Sequence, residues 1–206
     1  SCRYEPKGRY IFAGAQDYQI WRWEPDTNKK IQLKGADAWV RGIAFSPDGK
    51  TMLTGGYDGR LMWWPLEGEK PERTVEAHTG WIMSVAISPD GKQIATTGND
   101  KLVKIWNFTN GKLLHTLKGH ESVVYNAVFH PQGQHLATAD LKCNVFVWEI
   151  NNGKLARKLK AEKMHSYDKT FKADIGGARS MSFNTDGTQL AIGGITNVTN
   201  AFACIG

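Results

Sequence analysis

The chain has 206 residues, is 41% hydrophobic and 22% charged, and carries a net charge of +6 with a pI near 9.2. Its longest uncharged apolar run falls far short of the ~20 residues a membrane helix needs, and Cys2, Cys143 and Cys204 are too few and too scattered for a disulfide framework or a Cys-based zinc site. The 22 Gly and eight Trp favour a strand-rich fold, with aromatic residues in the pleats and Gly in the turns.

Along the chain, four segments read almost in register. YEPKGRYIFAGAQDYQIWRW ends on Trp23, FSPDGKTMLTGGYDGRLMWW on Trp64, ISPDGKQIATTGNDKLVKIW on Trp106 and FHPQGQHLATADLKCNVFVW on Trp148, in steps of 41, 42 and 42 residues. Each opens on an apolar or aromatic residue (Tyr4, Phe45, Ile87, Phe129), with Pro two positions on and Gly two further. A fifth copy starts at Phe183, displaced by 12 extra residues, with Thr185 in place of Pro and Phe202 at the Trp spacing.

The third copy shows the local logic. WIMSVAIS (81–88) alternates in the way of a half-buried strand. PDG is a turn, QIATT (93–97) a second strand, LVKIWN (102–107) a third and KLLHTL (112–117) a fourth, with TNG as the hairpin signal between the last two. No stretch sustains a helical period. A four-stranded unit repeated every 40–45 residues is the signature of a propeller blade. The expected architecture is all-β: about five consecutive four-stranded antiparallel blades in an incomplete ring, at 1–35, 36–77, 78–119, 120–160 and 179–206, with an insertion at 161–178. Both ends fall inside blades, so the expectation is a segment of a longer parent, its missing blades supplied by the rest of that parent or by a partner.

These repeats resemble the WD-repeat family. The resemblance implies a buried chain of His, Ser/Thr, Asp and Trp in each blade, and the third copy has the full set: His78, Thr96, Asp100 and Trp106. A buried carboxylate needs donors, and imidazole, hydroxyl and indole N–H can supply them. The second copy has Thr54, Asp58 and Trp64, but Ala36 where His would stand. The first has Asp17 and Trp23, with Ala13 at the hydroxyl position. The fourth has His120, Thr138 and Trp148, but Lys142 replaces Asp, and Asp140 sits two residues too early. Blades one and four are therefore expected to be locally weaker. The His–Thr–Asp set repeats with the fold period, which reads as structure and not as a catalytic triad; no nucleophile or oxyanion site accompanies it. No cofactor or metal site is expected.

The family resemblance also implies a binding face around the central opening. The positions aligned there are Trp39, Arg41, Trp81, Met83, Tyr125 and Arg179, a mixture with the composition of a protein-binding hot spot. GWIMSVAISPDG is similar to the matching stretch of G-protein β-subunits, which implies partner contacts for Trp81 and Met83. The opposing reading for Trp39 and Trp81 is that they only cover the junctions between blades. The insertion adds His165 and Tyr167 to the candidate surface. Between Lys154 and Asp174 lie seven basic and three acidic residues, +4 of the total +6.

The expected function is that of a non-catalytic protein–protein interaction scaffold, or the propeller module of a larger multidomain protein or enzyme complex. Its partners are expected to be proteins or peptides, acidic ones above all. RNA or acidic-ligand binding through 154–174 is the weaker alternative, since no nucleic-acid motif is present. With neither a leader nor a membrane span in view, a soluble protein is expected, with the cytoplasm favoured.

Overall fold

The computed structural model describes residues 1–14, 17–161, 164–168, 173–196 and 201–205. They form an all-β fold of successive meandering antiparallel sheets. Sheet one contains β1 (Cys2–Tyr4), β2 (Ile11–Gly14), β3 (Ile20–Glu24) and β4 (Lys29–Leu33). Sheet two contains β5 (Val40–Phe45), β6 (Thr51–Gly56), β7 (Arg60–Pro65) and β8 (Arg73–Glu76). Sheet three contains β9 (Ile82–Ile87), β10 (Gln93–Gly98), β11 (Val103–Asn107) and β12 (Leu113–Leu117). Sheet four contains β13 (Val124–Phe129), β14 (His135–Asp140), β15 (Asn144–Glu149) and β16 (Leu155–Lys160). A separate hairpin, β17 (His165–Asp168) and β18 (Ala173–Gly176), precedes β19 (Ala178–Phe183), β20 (Leu190–Thr196) and β21 (Ala201–Ile205) of sheet five.

The first strands β5, β9, β13 and β19 pack side by side in that order, and β1 lines the same central channel. The sheets are thus propeller blades arrayed about one axis, without a closed ring. Among the described residues, no helix is long and apolar enough to cross a membrane.

Each hydrophobic cluster lies between two consecutive blades, not within one. Phe12 and Ile20 meet Val40, Met52 and Trp64; Leu53 and Trp63 meet Ile82 and Trp106; Ile105 and Leu117 meet Phe129 and Trp148; Val145 and Met164 meet Ala178 and Met181. Trp63 and Trp64 illustrate the alternation of a strand. They are adjacent in β7 and both fully buried, yet one packs forward onto blade three and the other backward onto blade one. Truncating a core aromatic of this kind costs about 3–5 kcal/mol.

The turn between first and second strands follows one rule with five side chains. The residue just after the opening aromatic or apolar position is Glu5, Ser46, Ser88, His130 or Asn184. Each accepts a hydrogen bond from a backbone N–H of its own turn. The turn glycines Gly49 and Gly91 take φ of +66° and +71°, a region in which a Cβ is strained.

In blade three, His78 Nδ1 lies 2.9 Å from both Asp100 oxygens, and Nε2 lies 2.8 Å from Thr96 Oγ1. The Trp106 indole N–H donates to the same hydroxyl oxygen at 2.9 Å. The Asp100 carboxylate only accepts, so His78 Nδ1 carries a proton toward it, and the Thr96 hydroxyl, with one proton and two lone pairs, can serve both Nε2 and the indole. Burial holds the His78 pKa below the usual histidine value, although the Asp100 charge and hydrogen bond pull the other way. In blade two, Trp64 donates to Thr54 Oγ1 at 2.8 Å, and Asp58 pairs with Arg60 in place of a histidine.

The structure corrects the reading of blade four. Asp140 does reach: its Oδ2 lies 2.9 Å from His120 Nδ1, while His120 Nε2 and the Trp148 indole both bond Thr138 Oγ1 at 2.8 Å. The physical reason lies at Gly98, the residue of blade three equivalent to Asp140. A Cβ on Gly98 would come within 2.5 Å of both Asp100 Oδ1 and His78 Nδ1. The space beside the histidine holds one carboxylate, delivered either from position 100 over a glycine or directly from position 140. Asn144 and two backbone N–H groups also bond Asp140. Burial raises its pKa, but the bonds from His120 and Asn144 outweigh that, and the carboxyl sits below the usual range. Blade four therefore has a complete chain and no reason to be weak on that account. In blade five, Phe202 pairs with Ile195, not with Leu190, the register partner the Trp spacing assigns it.

Candidate functional site

The ladder between first and second strands breaks once in each of blades two to five. Val40 pairs Gly56 and Gly42 pairs Gly55, which leaves Arg41 as an extra residue. By the same skipped pairing, Met83 is extra between Ile82 and Ser84, Tyr125 between Val124 and Asn126, and Arg179 between Ala178 and Ser180. A β-bulge frees a residue from the ladder and re-aims its side chain. The four bulge residues converge on one cleft of about 310 Å³ at the central opening, whose lining also includes Arg3, Trp39, Ser84 and Asn126.

Tyr125 stands between two guanidinium groups. The Arg179 carbon Cζ lies 4.0 Å from its ring centre and that of Arg41 lies 5.7 Å away. Arg179 is further fixed by donating Nε–H to Gly176 O at 3.0 Å. Among the described residues, the lining includes no carboxylate. The nearby Asp37 and Asp58 are both engaged by Arg60, at 2.8 and 2.7 Å, so their charge is taken up locally.

From the cleft, an aromatic run extends outward. Trp39 lies 4.9 Å from Tyr57, centroid to centroid, and Tyr57 stacks on Trp81 at 4.4 Å with planes 8° apart. Backbone bonds set these positions. Tyr57 N–H donates to Trp39 O, Asn99 N–H to Trp81 O and Leu141 N–H to Val123 O, so each second-to-third turn is tied to the residue leading into the first strand. Trp81 remains 46% exposed.

Of the eight candidate surface residues, the cleft gathers Trp39, Arg41, Met83, Tyr125 and Arg179; Met83 is the most buried of these. Trp81 lies outside the lining and joins through Tyr57. His165 lies on β17, outside the lining, and the Tyr167 side chain lies outside the described residues. Sequence reasoning missed Tyr57, which occupies the turn position of Asn99 and Leu141, and Arg3, which reaches the opening from β1. The repeat alignment held the signal for Arg3, because β1 aligns with the channel-lining strands. Nothing in the sequence signalled the stacking of Tyr57.

The family described as "WD domain, G-beta repeat" matches residues 28–65, 69–107 and 111–149, together more than half of the chain. The chain belongs to the WD-repeat family. Among curated proteins, this WD-repeat chain is similar to the nuclear distribution protein nudF of Aspergillus niger, with 36% identity over 70 residues, 34% of the chain and 16% of that protein. It is 40% identical over 48 residues to the nuclear distribution protein PAC1 of Mycosarcoma maydis, 23% of the chain and 11% of that protein. It is 30% identical over 64 residues to human apoptotic protease-activating factor 1, 31% of the chain and 5% of that protein. The matches thus span less than a fifth of each of these relatives. WD-repeat proteins bind other proteins, and this chain has their blades.

Proposed function

We propose that this chain is a non-catalytic interaction scaffold that binds partner proteins through the opening face of its blades. The convergence of four bulged residues, Arg41, Met83, Tyr125 and Arg179, on one cleft carries the reading. Bulges cost ladder hydrogen bonds, and here they gather at one cleft a cation-rich, aromatic mixture of the kind that anchors protein interfaces. The buried His–Thr chains support the absence of catalysis: the Thr96 and Thr138 side chains are fully buried, and both hydroxyls are already committed to His and Trp. The similarity to a short stretch of a much longer relative supports a role as a module within a larger protein.

The test is affinity capture with wild type and Trp81→Ala. Because Trp81 is 46% exposed and its loss costs the stack on Tyr57 but no interblade core, the variant should keep its melting temperature within about 4 °C and lose its specific partners. A melt that collapses together with capture would make Trp81 a packing residue and remove the support for this face.

A further inference from the structure

We propose that the cleft receives the carboxylate of an acidic side chain on a partner peptide while an adjacent apolar residue lies on the Trp39–Tyr57–Trp81 run, so that the chain reads acidic–apolar segments. The inference rests on the opening face being the binding face.

Arg41 carries the argument. Among the described residues, Arg9 and Arg60 are ion-paired, and Arg22, Arg73 and Arg179 donate to backbone carbonyls, whereas Arg41, its cleft neighbour Arg3 and the distant Arg157 do neither. The Arg41 guanidinium has neither kind of partner, only the Tyr125 ring. It is half-buried, held by its bulge and pointed into a cleft shared with Arg3 and Arg179. Three cations around one cavity, with no carboxylate among its described lining residues, repel one another, and an anion would balance them. A guanidinium presents parallel N–H donors that match a carboxylate with two bonds at once. The cleft, of about 310 Å³, has room for a side chain, and its cations cluster at one place; a nucleic-acid backbone needs an extended basic track. Trp39 belongs both to the cleft lining and to the aromatic run, so the two subsites are contiguous. Rigid stacked rings offer apolar area at low entropic cost.

The experiment selects binders to the full chain from a phage-displayed random dodecapeptide library and measures the winners as fluorescent synthetic peptides. The expected winners have Asp or Glu beside Leu, Ile, Phe or Trp. Replacing that acid by its amide in the peptide should weaken binding at least about tenfold. The paired change Arg41→Gln plus Arg179→Gln should weaken it similarly, and the two losses should not add. The peptide-side change leaves the protein intact, so the test stands even if the protein variant unfolds. Winners without acidic enrichment, or an acid whose loss is insensitive to the arginines, overturn the inference. If such peptides still lose binding with Trp81→Ala, the opening face survives as the binding face and only the carboxylate assignment falls; if they do not, both fall. A phosphoserine replacement that binds more than about tenfold tighter than the acid would make the subsite one for phosphate and would also overturn it.

Discussion

Tyr57 and Trp81 come from different blades, yet their rings stack 4.4 Å apart with planes 8° from parallel. The contact joins a turn of blade two to the lead-in residue of blade three, and so fixes how the aromatic run sits beside the cleft. Removing Tyr57 should free the Trp81 ring without opening the core between the blades, because neither ring is fully buried. Tyr57→Ala is expected to lower stability by about 1 kcal/mol, the scale of an aromatic pair, and to weaken partner binding as much as Trp81→Ala does. Calorimetry and a binding isotherm on the two variants check this.

The carboxylate beside the tetrad histidine should be portable between two positions. In blade four, Asp140→Gly alone leaves the buried His120 unpaired and should cost about 2–4 kcal/mol. Adding Lys142→Asp should recover most of that loss, because it rebuilds the arrangement of Gly98 and Asp100. Chemical denaturation of the single and double variants decides the matter, and a double variant no better than the single one would refute the shared-space explanation.

Trp106→Ala should cost about 3–5 kcal/mol, since it opens a cavity between blades two and three and strips Thr96 of its indole donor. A loss under about 1 kcal/mol would mean that the interblade core does not depend on this residue.

The depressed pKa of His78 sets a pH dependence. The unfolded chain takes up a proton near pH 6.5, whereas the folded chain resists protonation until lower pH because burial disfavours the imidazolium. The folded state therefore binds fewer protons over that interval, and stability falls as pH drops below about 6.5. The denaturation midpoint should decline between pH 7 and 5, and His78→Gln should flatten that decline.

The repeat made most of this fold legible. Spaced Pro, Gly and Trp residues marked four blades, and the turn chemistry at Ser46 and Ser88 is local. What the sequence could not show was geometry between strands. The bulges at Arg41, Met83, Tyr125 and Arg179 arise from pairing register, which a single strand does not encode. The reach of Asp140 depends on where the chain lies beside His120, not on its spacing from Trp148. Tyr57 meets Trp81 only because consecutive blades lie side by side. The eight residues singled out for the surface divide on the same ground: those on first strands gather at the opening, whereas His165 belongs to a hairpin that packs against β20.

The most direct test of the account places a photo-crosslinking benzoylphenylalanine at Tyr125 in one sample and at Leu155, on the exposed outer strand β16, in another. Irradiation with a captured partner should give crosslinks from position 125, lost when Trp81→Ala is added, and none from position 155. Crosslinks from position 155 with none from 125 would place binding on the blade edge and contradict the assignment of the opening.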